Sequence, residues 1–171
     1  RSRGLGDVYK RQCLTLDRQY MFGDNILVAP ILNDEGIAEY YVPEGKWTDI
    51  ITGKVLEGGK WYKHKCSYFE IPALAKPNSI IAYGNFERQI EYDYLEGTTF
   101  TIYELEDGKS TVCPIYDTEA NKVFELTATR HGNKIECEYT DTKASFKIAV
   151  ANTDKAVEIA PNFSGKVIIE L

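Results

Sequence analysis

Along most of the chain, apolar and polar side chains alternate with a period of two. Phe124, Leu126 and Ala128 share one side of their segment, and Glu125, Thr127 and Thr129 share the other. Ile135, Cys137 and Tyr139 alternate with Lys134, Glu136 and Glu138. Phe146, Ile148 and Val150 alternate with Ser145, Lys147 and Ala149, and Val167, Ile169 and Leu171 close the series. Successive side chains of an extended strand point to opposite faces, so each segment has one dry side and one wet side. Asp107-Gly108, Gly132-Asn133 and Ser164-Gly165 fall between segments, where the backbone must turn through positive φ. Short strands at this spacing predict an antiparallel sandwich over residues 85–171, with residues 85–97 as its polar, acidic connector.

The first half is less regular. Residues 15–22, TLDRQYMF, predict a short, weak helix with Asp17 as its cap, broken at Gly23-Asp24-Asn25. Residues 26–32 form a continuous apolar run that suits a strand covered on both faces, with Pro30 placing it at an edge or bend. Residues 38–42, 47–51, 59–65, 67–71 and 80–83 predict short strands separated by turns, closed by Gly84. The predicted class is all-β, two small antiparallel β-sandwich-type domains with a boundary between residues 84 and 85.

Composition narrows the function. The 171 residues are 43% hydrophobic and 27% charged, which excludes a disordered or collagen-like chain. Lys and Arg number 20 against 26 Asp and Glu, a formal charge of −6. Residues 2–12, SRGLGDVYKRQ, read as a translated transposase sequencing adaptor, so residues 1–12 are expected to be a cloning scar. That stretch holds four basic side chains and one acidic one, which leaves the rest of the chain at −9. Such a balance argues against nucleic-acid and membrane partners. No apolar run approaches the ~20 residues of a membrane helix. Gly4-Leu5-Gly6 lacks the third glycine and the preceding strand of a dinucleotide loop.

The reactive residues form no constellation. Cys13, Cys66, Cys113 and Cys137 are far apart, without a CxxC pair, and are expected as buried thiols of a cytoplasmic protein. His64 and His131 have no third metal ligand nearby. No GxSxG nucleophile motif occurs. Among the paired carboxylates, Glu136 and Glu138 lie on the wet side of their strand and are expected to be solvated. Asp24 follows a Phe-Gly turn and is expected to cap it. Trp47 and Trp61, with Tyr62 beside the latter, are the candidates for stacking on a sugar ring; the alternative is that they fill the core or pack on a neighbouring domain. No catalytic, cofactor-binding or metal-binding residue is assigned.

Three segments carry a family resemblance. Leu16-Asp17-Arg18-Gln19-Tyr20-Met21-Phe22-Gly23-Asp24-Asn25-Ile26-Leu27-Val28-Ala29-Pro30 resembles the QYMxGDxxLVAPV signature of glycoside hydrolase family 31. Tyr41-Val42-Pro43-Glu44-Gly45-Lys46-Trp47-Thr48-Asp49 resembles the LPxGxWxD strand and turn that follows it, and Ile71-Pro72 with Asn78-Ser79-Ile80-Ile81-Ala82 resembles the edge closing that domain. Beyond residue 85, residues 94–105, Asp107-Gly108 and Val112-Cys113 resemble the distal domain of the bacterial α-xylosidase branch. The resemblance implies a retaining α-glycosidase, α-xylosidase- or α-glucosidase-like, that removes terminal α-linked xylose or glucose from oligosaccharides. It implies a (β/α)8 barrel whose two catalytic aspartates precede the first segment, no metal or organic cofactor, and an oligosaccharide that binds through that barrel. It also allows a homo-oligomeric parent. Residues 13–25 would then be the terminal remnant of the barrel, 26–84 the proximal and 85–171 the distal C-terminal β domain. The chain is expected to be a non-catalytic support for the barrel; the alternative is a carbohydrate-binding module using Trp47 and Trp61.

Overall fold

The computed structural model describes residues 18–85, 94–140, 142–161 and 165–171. The cap expected at Asp17, the thiol of Cys13 and Ser164 of the last turn lie outside them. Every regular element among the described residues is a strand, and the chain divides into two units between Pro77 and Asn78.

The first unit holds seven strands: β1 (Tyr20–Phe22), β2 (Ile26–Val28), β3 (Ile37–Val42), β4 (Lys46–Asp49), β5 (Val55–Glu57), β6 (Lys60–Lys65) and β7 (Ala73–Ala75). Five of them form an antiparallel sheet in the order β1-β2-β7-β4-β5, and β3 pairs with β6. Leu27, Leu74, Trp47 and Leu56 from the sheet meet Ala38, Tyr40 and Val42 from β3 in one apolar core. Gly58 makes the turn between β5 and β6 possible: its N–H donates to the carbonyl of Gly45 at 2.8 Å, and a Cβ there would fall on the carbonyl oxygen of Pro43.

Several local expectations are corrected here. Tyr20–Phe22 is a strand of a hairpin with β2, not the end of a helix. Gly23 turns the chain at φ 63°, and Met21 packs against the core while Tyr20 and Phe22 point out. The run 26–32 is a strand only to Val28, and Leu32 is exposed. Residues 67–71 form a turn, because the Ser67 N–H donates to the Glu70 carboxylate at 2.8 Å and the Glu70 N–H donates back to the Ser67 carbonyl. In their place, Ala73–Ala75 supplies the centre of the five-stranded sheet.

The second unit packs two four-stranded sheets. It is built from β8 (Ser79–Tyr83), β9 (Thr98–Tyr103), β10 (Ser110–Tyr116), β11 (Lys122–His131), β12 (Lys134–Tyr139), β13 (Phe146–Val150), β14 (Ala156–Ile159) and β15 (Lys166–Glu170). The sheet orders are β10-β11-β12-β15 and β14-β13-β9-β8. Residues 80–83 therefore belong to this unit, since Ile80 pairs with Ile102 of β9, and the division falls before Asn78 rather than after Gly84. Asn78 itself sits at φ 57°, a conformation asparagine tolerates, and its side-chain oxygen accepts the Glu106 N–H at 2.7 Å.

The alternation read from residues 124–150 is the alternation observed. Phe124, Leu126, Ala128, Ile135, Cys137, Phe146 and Ile148 are buried between the sheets. Phe124 lies 5.4 Å from Phe100 and 5.2 Å from Phe146, centroid to centroid, and Tyr139 meets Phe146 edge-on at 5.1 Å. Such pairs add about 0.5–1.5 kcal/mol beyond the area they bury. One pairing departs from the antiparallel expectation: β13 and β9 run parallel, Phe146 opposite Thr98. The chain between them crosses through β10, β11 and β12 of the facing sheet, so it re-enters from the same end.

Candidate functional site

Trp47 is 3% exposed and belongs to the first core, so it has no free ring face and drops out as a sugar-stacking residue. Its strand lies inside the five-stranded sheet, where alternate side chains face β3. Its indole Nε1 is buried without a hydrogen-bond partner. Trp61 is 52% exposed and meets Tyr41 edge-on, centroids 5.8 Å apart. The structure thus separates the two tryptophans.

Glu136 and Glu138 do not line a cleft. Both face Lys166, at 2.6 and 3.4 Å, on the outer side of the second unit. These contacts hold the Lys166 ammonium above the usual lysine range. Asp24, Asp34, Glu35 and Asp107 lie in exposed positions. His131 ends β11 at the surface, and among the described residues no group of three His, Cys, Asp or Glu side chains is placed to hold a metal. Cys66 and Cys137 are buried and Cys113 is half-buried, all three as free thiols. Burial alone pushes the Cys113 thiol up to about 11, and burial beside Glu136 pushes Cys137 up to about 12. Neither is a nucleophile at neutral pH.

One concavity gathers polar side chains from several elements. A cavity of about 250 Å³ in the first unit is lined by Tyr40 of β3, Asp49 at the end of β4, and Tyr62 and His64 of β6. Tyr40 and Tyr62 oppose each other in the β3/β6 register and stack with centroids 6.0 Å apart. The Tyr62 hydroxyl donates to the Glu57 carbonyl at 2.8 Å. Tyr40 is 4% exposed. Burial, with the Asp49 carboxylate nearby, pushes this phenol up to about 12, so it keeps its proton at neutral pH. Asp49 Oδ1 accepts the N–H groups of Ile51 and Thr52 at 2.9 and 2.8 Å, which fixes the carboxylate at the rim. Glu70 is held below the usual glutamate range by its bonds from Ser67. Of these residues the sequence drew attention only to Tyr62 and His64; Asp49 lay inside the LPxGxWxD-like segment, and nothing local marked Tyr40.

Comparison with known proteins identifies the two units. The model of the glycosyl hydrolase family 31 C-terminal domain matches residues 7–81. That of the C-terminal domain of alpha-xylosidase YicI matches residues 93–171. The alpha-xylosidase XylQ of Lactiplantibacillus pentosus is 36% identical over 120 residues, 68% of this chain and 16% of that protein. An alpha-xylosidase of Emericella nidulans is 45% identical over 75 residues, 38% of this chain and 9% of that one. The chain therefore spans a small part of the relatives it matches. In fold it is similar to the cycloalternan-forming enzyme of Listeria monocytogenes, solved in complex with a pentasaccharide substrate. There the TM-score is 0.74 at 22% identity, over 91% of this chain and 19% of that one.

Proposed function

The chain belongs to glycoside hydrolase family 31, and from that membership we propose that it is the non-catalytic C-terminal part of a retaining, α-xylosidase-like glycosidase. The parent enzyme removes terminal α-linked xylose or glucose from oligosaccharides in the cytoplasm. Its two catalytic aspartates lie on a barrel that precedes these residues, and the chain supports that barrel. The observation that carries this reading is the tandem order of the two matches, a family 31 C-terminal domain followed by an α-xylosidase C-terminal domain. Retaining chemistry needs two carboxyl groups about 5–5.5 Å apart across the sugar. The two carboxylates that share one face of β12, Glu136 and Glu138, are instead tied to one lysine on an outer face.

Two measurements test it. The chain alone gives no hydrolysis of p-nitrophenyl α-xyloside or α-glucoside above a heat-killed control. Joined behind the barrel of an α-xylosidase in place of that enzyme's own C-terminal domains, it restores soluble, active protein. Turnover by the chain alone, or failure of every such chimera to fold, overturns the proposal.

A second reading, a carbohydrate-binding module, retains only Trp61 of its two tryptophans, because that indole is exposed. Xylo-oligosaccharides would then change the fluorescence of the wild-type chain but not of Trp61→Phe.

A further inference from the structure

We propose that the cavity bounded by Tyr40, Asp49 and Tyr62 binds a single uncharged, polyhydroxylated ring of pyranose size. The inference concerns residues on this chain and does not depend on which glycosidic bond the parent cleaves.

Four observations support it. The volume, about 250 Å³, lies just under the range of sites that hold drug-sized ligands, which suits one ring and not a chain of them. Tyr40 lines the cavity, and its phenol hydroxyl can both donate a hydrogen bond to a ligand and accept one from it. Asp49 spends Oδ1 on two backbone N–H groups of its own turn, so its other oxygen remains as a fixed acceptor. Apolar wall is supplied by Ile51, Leu56 and Ile71, which a sugar's C–H face would cover.

Charge selects against other ligand classes. Asp49 and Glu70 face the space together with Lys54 and Lys63. An anion meets the two carboxylates, and a cation meets the two ammonium groups. A neutral ligand whose hydroxyls both donate and accept satisfies Tyr40, Asp49 and His64 without a net charge to bury. The phenol of Tyr40 stays protonated at neutral pH and can donate to a ring oxygen or accept from a hydroxyl.

Saturation-transfer difference NMR on the full 171-residue chain is the test, since it tolerates association of the protein. The probes are methyl α-D-xylopyranoside and methyl α-D-glucopyranoside, with sodium gluconate as the charged control. Saturable signals are expected from one or both glycosides, with dissociation constants in the millimolar range, and none from gluconate. Tyr40→Phe removes only the hydroxyl and should weaken binding about five- to tenfold. Asp49→Asn keeps an oxygen for the turn and should weaken it by a similar factor. Trp61→Ala should leave it unchanged. Circular dichroism confirms that each variant is folded. The proposal is overturned if neither glycoside gives a saturable signal, which leaves a cavity filled by water only. It is equally overturned if binding survives both Tyr40→Phe and Asp49→Asn, or is lost with Trp61→Ala alone.

Discussion

The side-chain amide of Gln19 pairs with the backbone of Tyr41 as a neighbouring strand would: Nε2 donates to the Tyr41 carbonyl at 2.9 Å, and Oε1 accepts the Tyr41 N–H at 2.7 Å. Both bonds are buried, and they span 22 residues of sequence. They satisfy backbone groups of β3 that β6 leaves free on that side. Gln19→Ala should therefore destabilise the first unit by about 2–4 kcal/mol, the cost of leaving two buried polar groups unpaired. Urea denaturation of the whole chain reads it out, and an unchanged midpoint would show that water replaces the amide.

Phe124 stands at the centre of the second core, against Phe100, Phe146 and Tyr139. Phe124→Ala should cost about 3–5 kcal/mol. Phe124→Leu, which keeps most of the volume, should cost less than half as much. Equal losses from the two would mean that ring geometry rather than cavity formation sets the stability.

Gly58 has no room for a side chain, because a Cβ would overlap the Pro43 carbonyl. Gly58→Ala should lower the thermal midpoint more than any single surface substitution, by more than about 3 kcal/mol in stability terms. Gly132→Ala is the control: φ there is 61°, but nothing lies within 4 Å of the new Cβ, so only the left-handed backbone is penalised, at ~1 kcal/mol.

Alkaline pH should weaken both units. The Tyr40 phenol is raised from 10.0 to about 12, and the Cys137 thiol from 9.0 to about 12. A group raised in the folded state stabilises it below the unfolded value and loses that contribution as pH climbs through the folded one. Stability should be level to about pH 9 and fall between pH 9 and 12. The full Cys137 contribution is of the order of 4 kcal/mol at 1.36 kcal/mol per unit. Cys137→Ala should flatten the curve between pH 9 and 12; an equally steep fall in that variant would locate the effect elsewhere.

The most exposed large apolar side chains among the described residues lie in the first unit. Tyr68 and Phe69 are 96% and 90% exposed and meet each other edge-on at 5.3 Å, and Phe22 and Leu32 are also exposed. Uncovered apolar patches drive association. The isolated chain should elute as an aggregate in size-exclusion chromatography, and Phe22→Ser with Phe69→Ser should shift it toward monomer. A monodisperse wild-type monomer would refute this.

Where the signal was local, the sequence was legible. Residues 124–150 alternate because each strand of a two-layer sandwich has its own wet and dry sides, and that needs no knowledge of partners. Residues 67–71 misled because aromatic and apolar composition suits a strand, while a single Ser67–Glu70 bond pair closes a turn. Ala73–Ala75 went unread because alanine has no preference for strands, and its place between β2 and β4 is set by those neighbours.

The sequence by itself determined the all-β class, the family through its Gly-Asp and Val-Ala-Pro segments, and the dry faces of β11, β12 and β13. All of these depend on residues within one strand or one turn. The tertiary structure alone decided that β8 pairs with β9, that β9 and β13 run parallel, that Trp47 is core while Trp61 is surface, and that Tyr40 and Asp49 border one cavity. Each of those depends on which distant strand supplies the neighbouring hydrogen bonds, and a side chain's exposure follows from that partner rather than from its own chemistry.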